Sequence, residues 1–151
     1  MVQIRKAKPT DAPFIVQFQI DMALETEGMH LDPDTIRPGV EAVFSDVHKG
    51  TYYVAELDGQ VIGSLMTTYE WSDWRNGTVL WIQSVYVDSK HRGKGAYRQL
   101  YEHIKQLVQS PDNDYRGIRL YVDKTNTSAQ SVYARLGMHN HHYDLYEWMD
   151  E

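Results

Sequence analysis

Two hydrophobic periods take turns along this chain. Residues 2–6, 51–57, 61–69, 78–87 and 117–123 are short runs rich in β-branched and aromatic residues, and they predict strands. Asp58-Gly59 between the second and third runs is a hairpin signal. Phe14, Ile15, Phe18, Met22 and Leu24 recur at helical spacing behind Thr10-Asp11-Ala12-Pro13, which predicts a first helix opened by a capping hydroxyl and an early proline and ended near Gly28. Residues 35–45 predict a second helix, and Tyr97, Leu100, Tyr101, Ile104, Leu107 and Val108 predict a third over residues 95–109. Residues 127–136 read as a short helix closed by Gly137, and residues 138–149 as a final extended segment. The polar, glycine-ended stretch 70–77 reads as a connection long enough to be a substrate loop. Hairpins first and strand-helix alternation later predict one α/β (α+β) domain over residues 1–151, with a mixed sheet of about six to seven strands and helices on both faces.

The richest stretch is 85–98, where an apolar strand passes through a basic, glycine-spaced turn into a helix. Gly93 and Gly95 remove side chains where a ligand must approach backbone amides. The unpaired amides and positive dipole end of the following helix point at whatever sits in the turn. Lys90, His91, Arg92, Lys94 and Arg98 gather there although the whole chain carries a net charge of -6. This local reversal of sign predicts a bound anion. A dinucleotide fingerprint needs a third glycine where Arg98 stands, and a nucleoside-triphosphate loop needs Ser or Thr after Gly-Lys, so neither fits.

The shorter cradle Lys90-x-x-Gly93-x-Gly95 resembles motif A of the GNAT superfamily of acetyl-coenzyme A-dependent N-acyltransferases. Downstream, Asn126, Ala129, Tyr133, Leu136, Gly137 and Met138 resemble that family's Asn-x-x-Ala-x-x-x-Tyr-x-x-x-Gly-Phe/Met segment. Two motifs in order, each behind a predicted strand, are far more specific than either alone. The resemblance extends over nearly the whole chain and implies the GNAT fold. It also implies acetyl-coenzyme A (acetyl-CoA) as cosubstrate, with the pantetheine arm along Val85, Tyr86 and Val87. The pyrophosphate would then lie over Arg92, Gly93, Lys94, Gly95, Ala96, Tyr97 and Arg98, and Asn126 would hold the arm.

An alkylammonium with pKa ~10.4 must lose a proton before it attacks. Family members often carry Glu or Asp in the middle of the motif-A strand, where this chain has Gln83 and Ser84. The remaining carboxylates are Glu70, Asp73, Glu25 and Glu27, and Glu70 is favoured as base because it lies where the third strand ends. Tyr133 is the expected general acid, since a phenol of pKa ~10 can reprotonate a thiolate whose acid has pKa ~8.5. Tyr133 also fits an apolar helical face with Ala129, Val132 and Leu136. For the acceptor, Trp71 and Asp73 form an aromatic, acidic segment able to hold an ammonium, and Glu25 and Glu27 supply a second acidic lobe. Solvated charges and rings packed on the sheet or at a dimer interface are the plainer alternatives.

Composition narrows the classes further. The acidic balance argues against nucleic acid and for a cationic small molecule. With 0 cysteines there is no disulfide and no acyl-cysteine route, so direct transfer is expected. No segment approaches a membrane span or a secretion signal, which predicts a cytoplasmic protein without membrane contact. His139, His141 and His142 raise a metal site, but neither carboxylate nor cysteine completes the spacing, so no metal is expected. Acetylation of a small-molecule primary amine is the leading reading. A protein or peptide amine and a non-catalytic coenzyme A-binding regulatory domain are the alternatives, and a homodimer is compatible with each.

Overall fold

The computed structural model describes residues 1–150, which divide into two compact units, Met1–Arg119 and the segment from Leu120 onward. The first unit runs β1 (Val2–Lys6), α1 (Ala12–Glu27), α2 (Pro33–Ser45), β2 (Thr51–Leu57), β3 (Gln60–Ser72), β4 (Gly77–Val87), α3 (Ala96–Gln109) and β5 (Tyr115–Arg119). Its sheet has the order β1-β2-β3-β4-β5, antiparallel up to β4 and parallel between β4 and β5.

Local chemistry explains where these elements begin and end. A short 3-10 turn over Pro9–Asp11 precedes α1, and the Asp11 carboxylate accepts from the Lys8 amide at 2.7 Å and from Arg5 Nη1 at 2.7 Å and Nη2 at 3.1 Å. The helix start is therefore fixed by this carboxylate rather than by the expected Thr10 hydroxyl. Gly28 closes α1 at φ 61°, donating to Leu24 O while Met29 N reaches Ala23 O, a left-handed cap that glycine adopts without strain. The Asp32 carboxylate opens α2 by accepting from Asp34 N at 3.0 Å.

One face of the sheet packs on α1 and α2 through Ile15, Val16, Phe18, Val40, Tyr52, Val54 and Tyr86. Side chains alternate across a strand, so Leu65, Leu80 and Ile82 point the other way, and α3 covers that face with Leu100, Tyr101 and Ile104. Each fully buried Leu or Ile contributes roughly 1.5–3 kcal/mol of transfer free energy, enough to set which face of α3 turns inward.

Four expectations need correction. Residues 70–77 are not a long loop: β3 continues to Ser72, pairing Glu70 with Val79 and Trp71 with Thr78, and only residues 73–76 turn, with Asn76 at φ 47°. Of the charges in this stretch, Glu70 lies on β3, and Asp73 and Arg75 fall in the turn itself. The sheet has five strands among the described residues, not six to seven, and the last strand stops at Arg119 rather than Asp123. Residues 138–149 form no strand. Their alternation fits a strand, but Tyr143, Leu145, Tyr146, Trp148 and Met149 are all exposed, and a strand requires a neighbour to satisfy its backbone.

The second unit contains α4 (Thr127–Arg135). The Asn126 side chain caps it by accepting from Ala129 N at 3.1 Å, and Gly137 follows at φ 89°. Among the described residues no helix is long and apolar enough to cross a membrane.

Candidate active site

A break in the sheet creates the site. β3 and β4 pair regularly from Ser72↔Gly77 to Met66↔Gln83, then shift register so that Ser64 faces Tyr86, with Ser84 in the left-handed region at φ 56°. One extra residue on β4 bends it away from its partner on the other side. Pairing with β5 accordingly ends at Trp81↔Arg119, and the outer edge of β4 from Ile82 to Val87 has no strand beside it among the described residues. Gly63 stands across from the bulge because a Cβ there would lie 2.8 Å from Tyr86 O.

Beyond Val87 the chain turns sharply. Asp88 accepts from His91 N through its carbonyl at 2.8 Å, and its carboxylate lies 3.3 Å from His91 Nδ1, closing a single 3-10 turn over Ser89–His91. Gly93 and Gly95 follow at φ 80° and 81°, and α3 begins at Ala96. A Cβ on Gly93 would meet no atom within 4 Å, so it is the left-handed backbone, not crowding, that calls for glycine. The space before the turn is open. Gly95 offers no side chain to cap the first-turn amides, while Lys90, Lys94 and Arg98 stand exposed around it. Val85 is half-buried on β4, Ala96 is buried under the turn and Tyr97 is half-buried in the first turn of α3.

Three of the expected site residues are occupied with one another. Arg92 sends Nε to Val87 O at 3.0 Å and Nη2 to Glu25 Oε2 at 2.7 Å, with its guanidinium carbon 5.3 Å from the Tyr86 ring centroid. The Tyr86 hydroxyl donates to Glu25 Oε1 at 2.9 Å. Burial, then the Glu25 carboxylate, pushes the Tyr86 phenol up to about 12, and the Arg92 hydrogen bond holds Glu25 below the usual carboxylate range. Glu27 is exposed at the end of α1.

On the α1/α2 face, in front of the bulge, lies a polar array. Gln83 Nε2 donates to Thr68 Oγ1 at 3.0 Å, Trp81 Nε1 donates to Glu70 Oε1 at 2.8 Å, and Arg119 Nη1 donates to Glu70 Oε2 at 2.6 Å. The Trp81 hydrogen bond, followed by that of Arg119, lowers the Glu70 pKa. Both of its oxygens are engaged and its charge is favoured, which works against the expectation that Glu70 takes the acceptor's proton. Trp71 is 60% exposed, Asp73 lies exposed in the hairpin turn, and Trp74 is 93% exposed.

Sequence reading missed Arg119 and Trp81. A half-buried tryptophan implies an acceptor for its N–H, a signal that narrows the choice to a nearby carboxylate without naming it. In the second unit, Tyr133 is half-buried on α4 and Asn126 spends its side-chain oxygen on the helix cap. The His139 and His141 rings stack at 4.8 Å, and no metal-holding group of His, Cys, Asp or Glu occurs among the described residues.

The fold agrees with that of known proteins. The acetyltransferase (GNAT) family profile matches residues 16–138. A streptothricin acetyltransferase of Escherichia coli is 26% identical over 149 residues, covering 97% of this chain and 82% of that protein. A solved structure described as a possible acetyltransferase from Clostridium difficile 630 superposes with a TM-score of 0.92 at 42% identity, covering 100% of this chain and 99% of that one. A ribosomal-protein-alanine N-acetyltransferase from Brucella melitensis biovar Abortus 2308 shares the fold, with a TM-score of 0.80 at 14% identity over 100% of both chains. This chain belongs to the GNAT family of acetyltransferases.

Proposed function

We propose that this acyltransferase moves the acetyl group of acetyl-CoA to a primary amine of a small molecule, by direct attack with both substrates bound, and that the chain works as one acetyltransferase domain. The observation that carries this reading is the outer edge of β4, unpaired past Trp81 and running straight into the left-handed glycines ahead of α3. The residues fit the cosubstrate. Amides of Val85 and Val87 are in reach of an extended amide-bearing arm, as an added strand would be. The open turn at Gly93 to Arg98, with Lys94 and Arg98 beside the positive end of α3, suits a pyrophosphate.

Acetyl-CoA supplies the activated thioester carbonyl and a thiolate leaving group. Backbone N–H groups on the bulged edge of β4 stabilise negative charge on the carbonyl oxygen as the amine adds. Gln83 and Thr68 line the approach to that edge, and Glu70, held ionised by Trp81 and Arg119, provides a fixed negative charge that draws an ammonium in. The ammonium loses one proton to water before its nitrogen attacks, Tyr133 protonates the departing thiolate, and the second proton that the nitrogen sheds on becoming an amide restores the Tyr133 hydroxyl by way of solvent. The E. coli relative, named for acetylating streptothricin, supports a small-molecule acceptor. Trp71 and Asp73 at the hairpin end are the acceptor contacts in this reading, and no metal takes part.

The test is coenzyme A thiol release from acetyl-CoA across a panel of polyamines, amino acids, aminoglycoside and streptothricin-type amines, and peptide amines. Release confined to a small-molecule class supports the reading. Release with peptide amines alone, or none with any amine, contradicts it.

A further inference from the structure

We propose that Glu25 is a positioning residue for the cofactor site: it holds the turn between β4 and α3 in place through Arg92, and is not an acceptor ligand. This rests on the reading of that turn as the pyrophosphate cradle. Three side chains close a ring between elements far apart in sequence, with Glu25 on the last turn of α1, Tyr86 near the end of β4 and Arg92 inside the turn. Each carboxylate oxygen has its own donor, Tyr86 Oη on Oε1 and Arg92 Nη2 on Oε2. Arg92 is further fixed by Val87 O and by the face of the Tyr86 ring. Its guanidinium therefore points back toward α1, away from the role of phosphate ligand that its place in the motif suggests.

The consequence is positional. The Glu25 and Arg92 side chains are 39% and 50% exposed, and ion pairs of that exposure add little to global stability. The turn they brace carries two left-handed glycines, Gly93 and Gly95, whose wide conformational range leaves it loose unless something outside ties it down. The contacts Asp88 makes with Lys90 and His91 are local and do not reach residues 92–95. The Glu25–Arg92 pair is the tie to α1, and it leaves Lys94 and Arg98 as the cationic side chains turned toward a bound anion.

The experiment is a calorimetric titration of two probes, acetyl-CoA and S-acetylpantetheine, which lacks the pyrophosphate and nucleotide. They are titrated into the parent protein, Glu25→Ala and Glu25→Gln, with thermal melts alongside. Loss of one charge-assisted contact predicts acetyl-CoA affinity about tenfold weaker in Glu25→Ala. Glu25→Gln, which keeps a hydrogen-bond acceptor for Arg92, recovers most of that loss, and S-acetylpantetheine affinity is the same in all three. Unchanged or tighter acetyl-CoA binding in Glu25→Ala overturns the proposal, as does an equal loss for both probes. Should Glu25→Ala fail to fold, Glu25→Gln with parent-like affinity for neither probe also overturns it. A parent protein that binds no acetyl-CoA removes the underlying reading of the cradle instead, and the two failures are told apart by that first titration.

Discussion

The indole N–H of Trp81 donates to Glu70 Oε1 at 2.8 Å across the β3–β4 pair, and Arg119 holds the second oxygen at 2.6 Å. A carboxylate with both oxygens committed and its pKa lowered is a poor proton acceptor and a good fixed charge. The size of the loss in a Glu70→Gln variant distinguishes the two roles. If the amine loses its proton to water, kcat/KM climbs with pH toward the amine's own pKa of about 10.4, with no carboxylate inflection near neutrality. Glu70→Gln then lowers kcat/KM by about tenfold, well short of the 10²–10⁴ that general-base catalysis contributes. A fall of about 10²–10⁴ in Glu70→Gln would restore Glu70 as the base.

In the proposed mechanism Tyr133 makes the opposite proton transfer. Tyr133→Phe keeps the ring on α4 and removes only the hydroxyl, so turnover falls by about a hundredfold while acetyl-CoA affinity stays at the parent value. Steady-state kinetics with a parallel binding titration checks both halves. A drop in affinity equal to the drop in turnover would assign Tyr133 to packing.

Gly93 and Gly95 are tested by their backbone rather than their surroundings. A Cβ at Gly93 meets nothing within 4 Å, and one at Gly95 meets only Gln99 Nε2 at 3.8 Å, yet both residues hold φ near 80°. Alanine at either position costs about 1–3 kcal/mol to keep that conformation, so the turn relaxes instead. Acetyl-CoA affinity falls about tenfold for each, and the melting temperature moves little because the turn is exposed.

How much of this was legible in the sequence depended on distance along the chain. The β4–turn–α3 passage was legible because strand, glycines and helix adjoin one another, and so was the Gly28 cap, whose partners lie a few residues back. The Glu70–Arg119 pair spans 49 residues and the Glu25–Arg92 pair 67, and no local pattern announces either. The missing strand over residues 138–149 makes the same point from the other side, since alternation describes one segment whereas a strand is a property of two. The length of the β3–β4 hairpin was not legible because Glu70, Trp71 and Ser72 read as connection residues until their pairing with Val79, Thr78 and Gly77 is known.

Asp11 ties β1 to the start of α1, and its pH dependence has a definite sign. The Arg5 hydrogen bonds hold the Asp11 carboxyl below its ordinary value of 3.8, so its contribution to stability is fully present above that value. It is lost as pH falls through the lower, folded pKa. With the carboxylate side chain only 8% exposed, Asp11→Asn destabilises by about 1–3 kcal/mol at pH 7. Urea unfolding at pH 7 and again below the folded pKa checks this, and the gap between parent and variant shrinks in acid.

In the proposed binding mode the cofactor lies on the open edge of β4 and the turn beyond it. Two-dimensional amide NMR of the isotope-labelled protein during an acetyl-CoA titration tests it most directly. The largest shifts are expected at the amides of Val85, Val87 and residues 93–98, saturating together with one affinity. Saturable shifts confined to other elements, with these amides unmoved, would contradict it.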